Sequence, residues 1–341
     1  MKEELSKFIS YLSENVDIFI FALLYTTFIH KDEINENYIK PYLMDKSLIN
    51  ESIINSNLDI NAPNFNNINT NFDINSIKSI YKYEIIDFVN KIKENYNINS
   101  IPLLYKNLEG IDVVVDRDLK DKFLSGLYDY DKKTIYINRI DNLFCLTHEL
   151  LHLSSTCRVG DTLYSGLSYI KDGSKYRSAK GLNEGYTEYL NNKLFNEDKD
   201  NTMSYYYLPN YAGIIESLVG EDNMSNYYFN CDLNSLINDL SVYSSLYYSK
   251  RIINYLDYLY LTHLLNENAI NNKNYTKAMN DLNILLTLSY YNKLHKEDMI
   301  SDVKMYLFIS DLPSNNKKTD NFKKEFLENN FMNTKKLTLK K

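Results

Sequence analysis

Read by the spacing of its hydrophobic and polar positions, the chain changes period several times along its length. In the first hundred residues apolar side chains recur at three- and four-residue steps, most regularly Ile77, Tyr81, Ile85, Phe88, Ile92 and Tyr96, which predicts an amphipathic helix with one packed face. A polar, Asn-rich stretch containing Pro63, Asn55 to Asn75, predicts a long loop or linker that sets a helical N-terminal region apart. The period then shortens to two. The β-branched run IDVVVD, Ile111 to Asp116, predicts a strand, and Gly126–Tyr130 with Thr134–Asn138 predict a hairpin turning at Asp131 and Lys132. Helical spacing returns from Asp141 to Cys157, with Asp141 as the expected cap and Leu143, Leu146, Leu150, Leu153 and Cys157 on one apolar stripe. From Met203 to Ser310, and most clearly from Tyr243 to Leu265, the same spacing predicts several packed helices.

These elements predict an α+β, mostly helical chain: a small β-sheet ahead of the Asp141–Cys157 helix, then a helical C-terminal region. The expected division is a helical region at 1–100 with its loop at 55–75, a mixed core at 101–200, a helical subdomain at 201–315 and a tail at 316–341. The tail holds eight lysines against three acids, the pattern of a solvated end.

Charge and composition narrow the partners. A formal net charge of −7 removes the broad positive field that nucleic-acid and anionic-membrane binders use, so neither partner is expected. Ile18 to Ile29 is the longest apolar run, and its 12 residues fall short of the ~20 that a membrane helix requires. Acids at Glu3, Glu4, Glu14 and Asp17 make it a poor signal peptide. The three cysteines, Cys145, Cys157 and Cys231, cannot all pair and show no CxxC spacing, which predicts a reducing, cytoplasmic setting. The 32 tyrosines and absence of tryptophan fit an AT-rich coding sequence and carry no functional weight. The pattern sets no oligomeric state.

The candidate chemistry lies in DNLFCLTHELLHLSSTC. His148 and His152 are four residues apart, one above the other on a helix face turned away from the leucines. Two imidazoles so placed can share one zinc ion, with Glu149 beside them to take a proton from the attacking water. The chain has only five histidines, and chance alone would produce this HExxH arrangement about once in two hundred such sequences. A zinc site of this kind needs a third protein ligand and keeps a fourth position open. In GLNEGYTEYL, Glu184 and Glu188 lie one turn apart and can both face the first helix while Tyr186, Leu190 and Leu194 turn to the core. The register puts either acid within reach of the metal. Gly185 is expected to let the two helices approach closely.

His148, Glu149, His152, Asn183, Glu184 and Glu188 together resemble the gluzincins, the zinc peptidases that include thermolysin and the zinc aminopeptidases. The resemblance covers about Leu127 to Phe195, and the GLNEGYTE segment is also similar to proteins of low-GC bacteria. It implies a zincin-like core at 101–200 with one Zn2+ held by His148, His152 and Glu184. Glu188 would then fix the ring of His148, with Asn183 as a supporting residue. It further implies that the strand before the helix, Thr134, Ile135, Tyr136, Ile137 and Asn138, lines the cleft and pairs with an extended peptide or protein substrate. The sequence departs from the family in two respects. The 31 residues between His152 and Glu184 exceed the spacing in thermolysin, so an extra hairpin is expected at Thr162–Lys180. The peptide-recognition signature of the aminopeptidases is absent.

The expected activity is zinc-dependent peptide-bond hydrolysis with Glu149 as general base. Tyr164, Tyr169, Tyr176, Arg177 and His263 are the candidates to stabilise the oxyanion. The alternative is a zincin-fold regulator or binding module. A purely structural zinc site has no use for a general base, so Glu149 favours the enzyme.

Overall fold

The structure, a computed structural model, describes residues 58, 60–65, 73–74, 77–97, 101–122, 125–174, 177–195, 207–265, 273–299 and 302–313. The expectations for the first fifty residues, the Ile18–Ile29 run among them, and for the 316–341 tail lie outside the described residues. By its internal contacts the chain divides into two compact units, Ser56–Tyr260 and Met1–Asn55 with Leu261–Lys341. The boundaries expected at residues 100 and 200 therefore fall inside one unit.

The packing of the first described helix shows why. Helix α1 (Lys82–Asn95) buries Ile85, Phe88 and Ile92 of its predicted face, together with Ile77 and Tyr81 just before it, while Tyr96 is half-buried. Phe88 stacks on Phe195 with ring centres 5.1 Å apart, and the Tyr81 hydroxyl donates to the Ile140 carbonyl at 3.0 Å. This face has its partners within the core, not in a separate domain. The Asn-rich segment is anchored as well. Leu58 is fully buried, and the carbonyls of Ile60 and Asn61 accept from Asn234 and Tyr164.

After α2 (Leu103–Leu108) come β1 (Asp112–Val115), β2 (Gly126–Asp129) and β3 (Thr134–Ile137). They form one sheet in the order β1-β3-β2, with β3 parallel to β1 and antiparallel to β2. Helix α3 (Leu143–Ser154) follows. Its cap is Asn142, whose side chain accepts from the Cys145 amide at 3.2 Å, and not Asp141. Its stripe is shorter than expected, because Leu143 is exposed and Cys157 lies beyond the helix end.

A second sheet, β4 (Thr156–Val159), β5 (Thr162–Ser165) and β6 (Ser168–Lys171), is an antiparallel meander between α3 and α4 (Lys180–Phe195). The expected hairpin is thus the latter part of a three-stranded sheet. Asn107 ties α2 to the start of this sheet by donating to the carbonyls of Leu153 and Thr156, both at 2.7 Å.

The rest of the unit is helical, as the spacing predicts: α5 (Leu208–Val219), α6 (Glu221–Phe229), α7 (Leu233–Ser241) and α8 (Leu246–Leu265), the last crossing the boundary after Tyr260. Asp232 caps α7 by accepting from the Ser235 amide at 3.0 Å. In the other unit, α9 (Lys273–Lys296) and α10 (Asp302–Asp311) are joined by a stacked pair, Tyr290 on Phe308 at 4.1 Å. Among the described residues no helix is long and apolar enough to cross a membrane.

Candidate metal centre

Helices α3 and α4 lie side by side, and short polar contacts fix their register. Thr147 Oγ1 is 2.7 Å from Asn191 Oδ1, and the Asn191 amide donates to the Phe144 carbonyl at 2.8 Å. Two further contacts seat α4 from outside. The Asp257 carboxylate on α8 accepts from the backbone N–H groups of Ala179 and Gly181 at 2.7 and 2.8 Å, capping α4 at its N-terminus. A Cβ on Gly185 would come within 2.6 Å of the Leu208 carbonyl oxygen. The close approach at Gly185 is therefore with α5, not with α3 as expected.

This register brings four buried side chains together. Nε2 of His148 and Nε2 of His152 are 3.2 Å apart, and the two carboxylate oxygens of Glu184 lie 3.4 Å from one each. On the other side of the ring, His148 Nδ1 is 3.0 Å from Glu188 Oε2. A carboxylate there requires the proton on Nδ1, so the lone pair of Nε2 points at His152 and Glu184. Of the two acids within reach, Glu184 is the one at the meeting point and Glu188 stands behind it.

Glu149, on the same helix, is buried and takes no hydrogen bond or ion pair among the described residues. Its carboxylate lies against β2, where a Cβ on Gly126 would stand 3.0 Å from both its Cγ and its Oε1. Glycine at the start of β2 leaves room first for Cys145 Sγ, which a Cβ would meet at 2.3 Å, and then for this acid.

The donor set can be tested against zinc. Ligands at about 2.05 Å on a tetrahedron are separated by about 3.3 Å, close to the 3.2 Å between the two imidazole nitrogens, and one ligand atom from each of His148, His152 and Glu184 lies within 4.8 Å of the others. The charges agree too: three buried carboxylates, Glu149, Glu184 and Glu188, face two imidazoles that are neutral as ligands. A divalent cation offsets that excess of buried negative charge. Without one, a proton and a lysine take its place. Burial would lower the pKa of His148, but the carboxylates of Glu184 and Glu188 prevail and raise it to about 10. Burial would raise that of Glu184, yet Lys180 and the two histidines hold it well below the usual carboxylate range. The residues fit a metal ion.

No protein-family model matches the chain, and no curated protein or solved structure resembles it significantly.

Other expected site residues lie elsewhere. Strand β3 hydrogen-bonds to β1 on one side and β2 on the other, so Thr134, Ile135, Tyr136 and Ile137 have no free backbone edge for a substrate, and the Asn138 amide donates to the Ser125 carbonyl. The edge beside Glu149 belongs to β2, which among the described residues pairs with β3 alone. Asn183 supports the second sheet and not the ligands, its side-chain oxygen accepting from the Leu167 amide at 2.9 Å. Tyr164 and Tyr169 are cross-strand partners, and the Tyr164 hydroxyl is committed to the Asn61 carbonyl at 3.2 Å. Tyr176 and the side chain of His263 lie outside the described residues. Arg177 is near enough for Glu184 to act on its charge.

Sequence reasoning passed over Lys180, Tyr260, Asp257 and Gly126. Lys180 is in direct contact with Glu184, and its four-residue spacing was a readable signal. Tyr260 lies where burial and then Glu184 raise its pKa while Arg177 opposes. Asp257 and Gly126 act through long-range packing, which leaves no local trace in the sequence.

Proposed function

We propose that this chain is a zinc-dependent peptidase of gluzincin type. The observation that carries the reading is the grouping of His148 Nε2, His152 Nε2 and a Glu184 oxygen within 4.8 Å of one another, with Glu149, unpartnered among the described residues, beside them. Zinc bound there supplies a Lewis acid that polarises the scissile carbonyl and lowers the pKa of water. Glu149 accepts the proton of the attacking water and delivers it to the leaving amine, a role open to it because none of the described residues holds its carboxylate. Glu188 keeps the His148 lone pair aimed inward. The edge of β2 offers backbone N–H and C=O groups to an extended peptide beside Glu149. Three buried, unbridged cysteines support work in a reducing, cytoplasmic setting.

The test is metal content by mass spectrometry together with hydrolysis of a peptide library. One zinc per wild-type chain is expected, lost in both His148→Ala and Glu184→Ala together with all cleavage. Wild-type protein that holds no zinc after incubation with excess metal would refute the reading.

A further inference from the structure

Arg177 lies between the second sheet and α4, just before Ser178, which bridges to Tyr169. Its guanidinium has five N–H donors, yet among the described residues it makes one hydrogen bond, a long one from Nη1 to Ser168 Oγ at 3.4 Å. No carboxylate of the described residues lies within 4.0 Å of it. Arg251 is the contrast: its guanidinium is held by the hydroxyls of Tyr247 and Tyr255, both at 2.7 Å. The Arg177 residue is nevertheless half-buried, and that burial lowers its pKa against the opposing influence of Glu184 and Tyr260. Glu184 cannot serve as its ion-pair partner, being engaged by Lys180 and both histidines. Among the described residues, this half-buried guanidinium near Glu184 thus lacks the anion that would offset its desolvation.

We infer that Arg177 is a specificity-determining residue that binds a carboxylate of the substrate next to the metal centre. The inference rests on the peptidase reading, in which substrates carry carboxylates at the C-terminus and on Asp and Glu side chains. The planar fork of arginine matches a carboxylate through two parallel hydrogen bonds, and four of its five donors are unused among the described residues.

Binding without turnover tests this. Full-length zinc-loaded Glu149→Gln protein is titrated calorimetrically with three probes: N-acetyl-tetraalanine with a free C-terminal carboxylate, its C-terminal amide, and that amide with one alanine replaced by glutamate. A C-terminal source makes the first probe bind roughly tenfold or more tighter than the amide, and a side-chain source does the same for the third. Either preference collapses when Arg177→Gln is added and falls several-fold with Arg177→Lys, which keeps the charge but not the fork. Equal binding of all three probes overturns the inference. So does a preference that survives Arg177→Gln, since the carboxylate would then be going to the metal itself. If Arg177→Gln fails to fold, Arg177→Lys decides, and undiminished discrimination there overturns it. The titrations are repeated on metal-free protein with wild-type Glu149, where the same dependence on Arg177 is expected. A chain that discriminates in this way yet cleaves no peptide would sink the peptidase reading and leave carboxylate recognition standing.

Discussion

Helix α4 contributes to two buried carboxylate clusters, and they are built on opposite plans. On one side Glu216 of α5 is saturated: Oε2 accepts from the Tyr186 hydroxyl at 2.7 Å, and Oε1 accepts from the Tyr189 hydroxyl at 3.0 Å and Lys193 at 3.3 Å. On the other side Glu184 and two imidazoles turn their acceptor atoms toward a common point, and Glu149 has no partner at all among the described residues. Both clusters exclude water, so both bear a desolvation cost. In the first, hydroxyl donors and a lysine offset it within the fold, which is what a structural network requires. In the second, Lys180 reaches Glu184, while Glu149 is left without a donor among the described residues. Burial alone therefore does not mark a candidate site; the convergence of acceptors on one another is what sets this cluster apart.

Substitutions that separate the two clusters would sharpen the contrast. The largest effect is expected at Glu149→Gln, which should keep its zinc and its unfolding midpoint while kcat/KM for peptide hydrolysis falls on the order of a thousandfold. Activity close to wild type in this variant would mean that Glu149 is not the base. Glu216→Ala should do the reverse. Two tyrosine hydroxyls and Lys193 lose their acceptor, and chemical denaturation should show a loss of about 3 kcal/mol with zinc stoichiometry unchanged.

Asp257 lies between these extremes, with two backbone donors to its carboxylate. Burial pushes its pKa up to about 7, with the amides of Gly181 and Ala179 opposing. The folded chain then keeps a proton that the unfolded chain has released, between pH about 4 and about 7. The unfolding free energy should therefore decline as pH rises through that window, by a few kcal/mol at most. Denaturation of chelator-treated protein at pH 4 to 8 would show it, and Asp257→Asn should flatten the difference. Parallel pH profiles for the two proteins would exclude Asp257 as the cause.

The contrast between local and distant signals also explains how much could be read in advance. The pairing of His148 with His152, and of Glu184 with Glu188, follows from helical spacing alone, as does the buried face of α1. β-branched runs located β1 and β3. Strand β4 was hidden because Cys157 continues the spacing of the leucine stripe. The chain instead leaves the helix at Ser155, where the hydroxyls of Ser154, Ser155 and Thr156 bond back to the carbonyls of Leu150, Leu151 and His152. Position within a sheet is not a local property either. The resemblance places the strand Thr134–Asn138 beside the cleft, but only the pairing of β3 on both sides shows that the edge beside Glu149 is β2. Gly185 has the right character for close packing, but the sequence does not say which helix it meets.

The meander between α3 and α4 is an excursion of the chain from one helix to the next. It leaves at Thr156 and returns at Lys171, and a Cβ on Gly160, in its first turn, would meet nothing within 4 Å. Its inner end is held by Asn183, while its outer turn is open. That turn is accordingly a natural insertion point, where an affinity tag, a fluorophore or a whole guest domain could be spliced between the helices that carry His148, His152 and Glu184.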